Sequence, residues 1–313
     1  MVQRIAIIIP FIYSSQKLLV LKNVLKRVAI SAKHSDFIEL AAVLIANHAP
    51  HTIVQNPSNN TTVMKNSRIK RLHFLWSSVN RGFSQAVNDG MLFAKYQWSP
   101  DWYLILNDDA LVSKRFFEHL TPQLTSRQYD ALSCRVLTPK GTTESVGLWY
   151  SESGIALPLT GDKRPTDTPI FTGVCTLLAR KRVDKELANH GYVFNPLLFA
   201  YSEDLELSLR VLRDRGTIHI ANEPLVTHLG SQTAKRGSFF QLYYSYRNWL
   251  VVIFLHWSTR EIISRLPLLV LGQLYVLGMC FYKRYWLLYP KMGWWIIKNR
   301  DIILWQRRQY GTT

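Results

Sequence analysis

The feature that most constrains the fold is a regular alternation of strand-like and helix-like patterns over the first 110 residues. The strand-like runs are Ile5 to Ile9, Ile38 to Ile45, Arg71 to Leu75 and Trp102 to Leu106. Between them, apolar residues recur three or four positions apart, which is the spacing of one helical face. Repeated strand and helix units of this kind build a parallel sheet covered by helices. The sequence therefore predicts an α/β fold.

The next part of the chain has a different pattern. From Ala131 to Arg180, short strand-like runs are broken by five glycines. This predicts that the second half of the sheet is mixed. Open parallel sheets bind ligands beyond the carboxyl ends of their strands. We therefore expect the chemistry in the segments that follow Ile9, Ile45, Leu75 and Leu106.

Length and cysteine content indicate the kind of compartment. A chain of 313 residues, 48% of them hydrophobic, can bury a large core without disulfides. Cys134, Cys175 and Cys280 are odd in number and far apart in apolar surroundings, which is typical of a reducing compartment. The run from Ile5 to Ile9 is too short for a signal peptide, so we expect a cytoplasmic protein.

The formal net charge of +17 is concentrated near the end of the chain. From residue 235 onward there are twelve Lys or Arg residues against two acids, together with six of the ten tryptophans. Basic residues mixed with Trp around apolar stretches are typical of a segment that rests among lipid headgroups. One stretch, Leu266 to Tyr282, is at the lower limit of length for spanning a bilayer.

We therefore divide the chain into a catalytic domain, residues 1–235, and a helical basic and aromatic extension, residues 236–313, that associates with a membrane. The alternative for the extension is a buried helical hairpin or an oligomer interface. A nucleic-acid partner is not expected, because the basic residues form neither an aromatic single-strand platform nor a recognition helix.

Two pairs of acids follow predicted structural elements. Asp108 and Asp109 come directly after the fourth strand, where one carboxylate can reach a metal while its neighbour reaches a ribose. A hard divalent cation takes carboxylate oxygens and bridges phosphates. The alternative is a solvated turn in which an Asp caps a helix starting near Ser113. Glu203 and Asp204 open a later helix, where one could remove a proton from a hydroxyl group or both could simply favour the helix dipole.

The residues alone leave the role of two further features open. His228 follows a predicted strand from Thr217 to Ala221, and a single His is either structural or a ligand. The segment from Ser77 to Phe83 follows the third strand and starts a helix, whose backbone amides could hold phosphate. Neither a Walker loop nor a dinucleotide fingerprint is present there.

Taken in order, these segments resemble the family 2 glycosyltransferases of the GT-A fold, and among them the bacterial rhamnosyltransferase-like branch. The resemblance covers roughly residues 4 to 250. The matching segments are residues 5–10, 80–90, 104–110, 171–180, 199–210, His228 and 246–248. It implies a Rossmann-like mixed central sheet flanked by helices, and an inverting transfer from a nucleotide-sugar donor with Mg²⁺ or Mn²⁺ as cofactor.

The resemblance also implies roles for individual residues. Asp109 and His228 would bind the metal, and Asp204 would be the catalytic base, with Glu203 as the less favoured candidate. The residues expected to bind the donor are Asn80, Gly82, Asn88, Asp108 and Asp109, and those on the acceptor side are Gly173 and Tyr201. The stretch from Leu44 to Pro50 lacks the family's usual strand-end Asp that reads the base, and Phe11 to Tyr13 departs from the usual Thr-Tyr-Asn. The resemblance therefore does not extend to the base or the sugar.

The predicted acceptor is a hydroxyl of a glycan or lipid-linked glycan in cell-surface polysaccharide synthesis. Because of the basic extension, we expect a peripheral or monotopic location at the inner face of the cell membrane. The alternatives are transfer of a sugar to polyprenyl phosphate, a catalytically inactive transferase-like protein, or a protein that binds acidic surfaces through its charge.

Overall fold

The structure is a computed structural model that describes residues 2–35, 37–50, 69–161, 169–230 and 237–312. The predicted domain boundary at residue 235 lies outside the described residues. The strands are β1 (Gln3–Ile12), β2 (Ile38–Asn47), β3 (Ile69–Trp76), β4 (Trp102–Leu106), β5 (Ala110–Val112), β6 (Ala131–Leu137), β7 (Thr143–Ser145), β8 (Leu148–Tyr150), β9 (Ala156–Pro158), β10 (Cys175–Ala179) and β11 (Ile218–His228). In these ranges, β8 and β9 form a small ribbon and the other strands form one nine-stranded sheet.

The central sheet has the strand order β3-β2-β1-β4-β10-β6-β11-β5, with β7 paired to β6. Strands β1 to β4 are parallel to one another, as the sequence predicts. Beyond them, β10 runs antiparallel to both β4 and β6, whereas β11 is parallel to β6 and antiparallel to β5. The mixed second half of the sheet is therefore confirmed.

Strand β11 is longer than its pattern predicts. The predicted strand stops at Ala221, but the observed strand continues to His228, with irregular register on either side of Pro224. Proline cannot donate a ladder hydrogen bond, and a local bulge accommodates it. As a result His228 is the last residue of the strand, where it pairs with Ala110 of β5.

Helices cover both faces of the sheet. They are α1 (Ser15–Ala32), α2 (Gly82–Trp98), α3 (Phe116–Ser126), α4 (Arg180–His190), α5 (Glu203–Arg213), α6 (Phe239–His256), α7 (Thr259–Ser264), α8 (Leu266–Tyr282), α9 (Leu288–Lys298) and α10 (Arg300–Gln309). Successive residues of β1 face opposite sides: Ile7 belongs to the core beneath α1 and α3, and Ile8 to the core beneath α2, α4 and α5.

Some residues of the C-terminal helices pack into the same core as residues that precede α5. Ile303 and Tyr310 share a core with Leu198 and Leu205, close to the start of α5. Helix α8, in contrast, buries only three of its seventeen residues. In the described part of the chain, no helix combines the length and the apolar character needed to cross a membrane.

Candidate active site

The two acid pairs come together at the carboxyl edge of the parallel strands. Strand β4 ends at Leu106, and the following Asn107 donates its backbone N–H to the carbonyl of Val174, at 3.0 Å. One residue earlier, Gly173 donates its N–H to Oδ2 of Asp204, at 2.8 Å. The segment before β10 therefore joins the turn that carries Asp108 and Asp109 to the start of α5.

Asp108 is held by a lysine that the sequence analysis did not select. Lys17, in the first turn of α1, places Nζ 2.7 Å from Oδ2 of Asp108, and both side chains are about nine-tenths buried. Burial raises the pKa of Asp108, and Lys17 opposes that rise. A cation in a first helical turn opposes the helix dipole, which was the available sign that Lys17 has a specific partner.

The alternative of a solvated, helix-capping turn is wrong. Asp108 and Asp109 are only 7% and 4% exposed. Helix α3 begins at Phe116, and no side chain caps its N-terminus.

Asp109 faces His228 across the β5 and β11 pair. Oδ1 of Asp109 lies 3.2 Å from Nε2 of His228, and the other ring nitrogen, Nδ1, lies 2.9 Å from Oε1 of Glu144 on β7. Burial disfavours a charged imidazole, but the hydrogen bonds and charges of Asp109 and Glu144 outweigh it and raise the pKa of His228 to about 10. The imidazole therefore lies between two carboxylates.

This arrangement fits a divalent cation held by two protein side chains. Neighbouring ligands of an octahedral ion lie about 3 Å apart when the bonds are about 2.1 Å long, close to the separation of Asp109 and His228. A bound metal would displace the proton from Nε2, and the carboxylate of Glu144 would keep the remaining proton on Nδ1. Within the described residues, no set of three or more His, Cys, Asp or Glu side chains forms a complete metal site. Further ligands would come from substrate phosphates and water, as is usual for Mg²⁺.

Asp204 and Glu203 have different surroundings although they are adjacent. Asp204 is partly exposed, and its carboxylate accepts the N–H groups of Gly173 and Leu205, each at 2.8 Å. Glu203 is 7% exposed and its Oε2 has no hydrogen-bond partner. Burial and the charge of Asp204 raise the pKa of Glu203 to about 8. Burial also raises the pKa of Asp204, but the two backbone donors oppose this rise, so Asp204 is the acid that ionises first.

Three of the five residues predicted to bind the donor, Asn80, Gly82 and Asn88, lie just before or within the first two turns of α2, and their described contacts are internal. Asn80 accepts the N–H of Gly82 at 2.9 Å, which stabilises the turn into the helix. Gly82 has φ of +74°, and a Cβ there would lie 2.4 Å from the carbonyl oxygen of Phe199. Asn88 is buried and bonds through both amide atoms to the backbone of Phe194. Donor contacts of these three residues stay a prediction.

The strand end that lacks the family's usual Asp has a structural role. Asn47, the last residue of β2, is 3% exposed. Its Oδ1 accepts the N–H of Arg81 at 3.0 Å. The amide therefore ties the end of β2 to the loop that begins α2.

The two residues predicted on the acceptor side lie next to the second acid pair. A methyl group on Gly173 would be 3.7 Å from Oδ2 of Asp204, in ordinary contact. Tyr201 precedes the acids by two residues and has φ of +67°. Burial and the charge of Glu203 raise the pKa of its phenol. Their contact with an acceptor stays a prediction.

Comparison with known proteins agrees with this architecture. The chain belongs to the family described as Glycosyltransferase like family 2, whose profile matches residues 8–247. It is 25% identical over 194 residues to the low-salt glycan biosynthesis hexosyltransferase Agl10 of Haloferax volcanii. That match covers 56% of this chain and spans 58% of the relative's length. The rhamnosyltransferase-like branch stays a prediction.

Solved structures show the same fold. GalNAc-T7, crystallised with UDP, GalNAc and Mn²⁺, superposes with a TM-score of 0.55 and 15% identity over 83% of this chain and 49% of its own. Residues 1–349 of TarS from S. aureus, in complex with UDP, give a TM-score of 0.52 and 12% identity over 81% of this chain and 65% of that one. The predicted GT-A fold, with additional C-terminal helices, is confirmed.

Proposed function

We propose that this protein is an inverting glycosyltransferase that moves a sugar from a nucleotide-sugar donor to a hydroxyl of a glycan or lipid-linked acceptor. The observation that carries the proposal is the bridge through Gly173 and Val174. It supports the proposal because it joins Asp204, the candidate base, to the turn that carries Asp109, a candidate metal ligand. An in-line displacement needs a base on one side of the anomeric carbon and stabilisation of the leaving group on the other.

The donor side consists of Asp109, His228 and the ion pair of Asp108 with Lys17. Asp109 and His228 would hold Mg²⁺ or Mn²⁺, which when bound supplies positive charge for the leaving diphosphate. Glu144 orients the imidazole from the opposite side. Lys17 keeps Asp108 in place, so that the turn presents Asp109 in a defined position.

The acceptor side consists of Asp204 and its backbone donors. Asp204 accepts the proton of the acceptor hydroxyl, and the resulting oxygen attacks the anomeric carbon. The bond from that carbon to the diphosphate oxygen breaks as the new bond forms, so the configuration inverts. Gly173 and Leu205 hold both carboxylate oxygens by hydrogen bonds and fix the direction from which the proton is removed.

The exposed surface of the C-terminal helices suits an anionic membrane and a lipid-linked acceptor. We define this tail surface by Leu271, Tyr275, Trp286, Trp294, Ile297 and Trp305, each at least half exposed. Basic residues lie among them, and Lys298 stacks over the ring of Trp294 at 5.0 Å. Aromatic and aliphatic groups enter the headgroup region while Lys and Arg pair with anionic lipids. The proposed location is peripheral, at the inner face of the cell membrane.

Thermal stability in the presence of nucleoside diphosphate sugars tests donor binding. We expect at least one donor to raise the melting temperature with Mn²⁺, and EDTA to abolish the rise. Asp109→Asn should abolish the rise, whereas Asp184→Asn, which changes a partly exposed acid on α4, should keep it. A wild-type protein that no donor stabilises would contradict the proposal.

Product stereochemistry tests the reaction. With the donor identified in this way, acceptor hydroxyls and polyprenyl phosphate are offered in parallel, and the new anomeric centre is assigned by NMR. We expect the inverted configuration on a hydroxyl acceptor. Retention would exclude the single in-line displacement, and transfer only to the phosphate would replace the proposed acceptor.

A further inference from the structure

The loop that precedes the two acids is strained. Phe199, Tyr201 and Ser202 all have φ between +65° and +67°. Residues other than glycine rarely adopt this region of backbone conformation. At Phe199 the ψ angle is −60°, and the N–H of Ala200 bonds back to the carbonyl of Leu198 at 2.8 Å. This is a γ-turn of the uncommon, strained kind. Such a conformation persists only where surrounding contacts hold it.

Two buried side chains on α6 hold this loop by its carbonyl groups. The amide nitrogen of Asn248 lies 2.9 Å from the carbonyl oxygen of Leu198, 2.8 Å from that of Ala200 and 2.6 Å from that of Tyr201. Arg247 donates Nη2 to the carbonyl of Leu198, at 2.6 Å. The carbonyl oxygens of Leu198, Ala200 and Tyr201, which alternate with or belong to the strained residues, thus point at two adjacent donors.

Arg247 and Asn248 form one rigid unit. Oδ1 of Asn248 accepts from Nε and Nη2 of Arg247, at 2.8 and 2.6 Å. The guanidinium lies 3.9 Å from the ring centroid of Trp295 and 4.7 Å from that of Tyr244. Asn248 is fully buried and Arg247 is 2% exposed, so neither side chain can reorient without leaving polar groups unpaired.

The same loop touches the donor side of the site. The carbonyl of Phe199 accepts the N–H of Ser84, in the first turn of α2, at 3.2 Å. Gly82 packs directly against that carbonyl. On its other side the loop leads through Ser202 into Glu203 and Asp204. Its conformation therefore sets the distance between the start of α2 and the acids at the start of α5.

We propose that Arg247 and Asn248 are positioning residues that clamp residues 198–202 in a strained conformation and so place Asp204 for catalysis. The inference rests on the proposed function, since it assigns these residues a part in positioning the base. Neither residue touches the reacting atoms. Without the clamp the loop relaxes toward the right-handed region, and the first turn of α5 moves away from Gly173.

Hydrogen exchange tests the clamp independently of activity. In Asn248→Ala we expect faster amide exchange across residues 199–206 than in the wild type, with β1 to β4 unchanged. Trp249→Phe is the matched control, because it removes a hydrogen bond from the next residue of the same helix to the carbonyl of Ser153. It should leave exchange in residues 199–206 unchanged. Unaltered protection there in Asn248→Ala would overturn the clamp.

Kinetics and a rescue test the positioning role. In Asn248→Ala we expect kcat to fall about 10- to 100-fold, as for a misplaced catalytic group, with a smaller change in donor affinity. Adding Ser202→Gly should restore part of kcat, since glycine adopts the positive φ freely and the side chain of Ser202 makes no capping hydrogen bond. Ser202→Gly alone should retain wild-type kcat. Should Asn248→Ala not fold, Arg247→Lys is used in its place, because lysine lacks the donors that together reach Asn248 and the carbonyls of Leu197 and Leu198.

The hydrogen-exchange and kinetic experiments distinguish this inference from the proposed function. A kcat of the Asn248→Ala protein within twofold of the wild type, an equal loss in Trp249→Phe, or no rescue by Ser202→Gly would each overturn the positioning role. If the wild type transfers no sugar, the proposed function fails, and hydrogen exchange still decides whether the clamp holds the loop.

Discussion

Asp204 and Glu203 are chemically similar neighbours that the structure treats differently. Asp204 accepts two backbone N–H groups and is partly exposed, whereas Glu203 is buried with an unpartnered oxygen. Burial and the charge of Asp204 raise the pKa of Glu203, which favours the protonated form of Glu203 at neutral pH. A base must be ionised to accept a proton, so Asp204 is the better candidate.

We therefore expect the two amide substitutions to have opposite outcomes. Asp204→Asn should lower kcat about 100-fold or more while leaving metal-dependent donor binding intact. Glu203→Gln should retain most of its activity at pH 7, because it replaces a protonated acid by an amide of the same shape. Steady-state kinetics on both variants decides the matter. Equal losses in the two would mean that the acids act as one unit.

Glu144 supports the proposed metal site without binding the ion. It lies on β7 and holds Nδ1 of His228. We expect Glu144→Gln to weaken Mn²⁺ binding about 10- to 100-fold, because the imidazole loses the partner that fixes its orientation. Titration of Mn²⁺ into the nucleotide-bound protein measures the effect. Glu152→Gln, a neighbouring acid without a contact to His228, is the control, and equal affinity in all three proteins would refute the role of Glu144.

At the scale of elements, the residue that follows α10 contacts α5, the helix that carries the candidate base. The hydroxyl of Tyr310 lies 2.6 Å from Oε1 of Glu206, one turn beyond Glu203, and 3.0 Å from the hydroxyl of Tyr192. Glu206 is also bonded by Arg210 at 2.9 Å, and both side chains are nearly inaccessible. Since buried polar groups must be paired, α5 requires the end of the chain for a complete set of hydrogen bonds.

Removing the hydroxyl of Tyr310 should therefore destabilise the fold. We expect Tyr310→Phe to lower the free energy of unfolding by about 1–3 kcal/mol, because the buried oxygen of Glu206 loses a donor. Urea denaturation at pH 7 measures the change. Tyr96→Phe, at a position that is 76% exposed, should leave the midpoint unchanged. A Tyr310→Phe protein as stable as the wild type would show that water replaces the hydroxyl.

At the scale of the whole molecule, the C-terminal helices have a buried side and an exposed side. Helices α6 and α10 contribute buried residues to the domain, whereas α8 and the outer side of α9 and α10 form the exposed tail surface. Deleting everything after Arg260 would thus expose the core around Leu198 and Leu205. Truncation cannot separate membrane binding from folding, but surface substitutions can.

We expect the double variant Trp294→Glu and Trp305→Glu to lose binding to anionic vesicles. Its melting temperature should stay within about 2 °C of the wild type, because both side chains are at least half exposed. Sedimentation with phosphatidylglycerol vesicles measures binding, and phosphatidylcholine vesicles test the need for negative charge. Phe37→Glu, exposed elsewhere on the molecule, should bind like the wild type. Undiminished binding of the double variant would exclude the tail surface.

Local sequence patterns were sufficient to predict several strands and helices and the edge of the sheet at which the site lies. Strand β4 and helix α8 have the predicted boundaries, Trp102–Leu106 and Leu266–Tyr282, because hydrophobic periodicity is a property of neighbouring residues. The rule that strand ends gather at one edge of a parallel sheet was enough to bring Asp109 and the start of α5 under consideration. Long-range partners have no such local pattern.

What the sequence by itself determined is the α/β alternation, the GT-A class and the candidate acids. Only the tertiary structure decided that Lys17 pairs with Asp108, that Glu144 bonds to His228, and that Asn248 bonds to the loop before Asp204. Each of these contacts joins residues far apart in the chain, and nothing in a run of neighbouring residues records such a pairing. The strained loop is also invisible to local rules, because they assign positive φ to glycine, whereas at Phe199, Tyr201 and Ser202 packing overrides that preference.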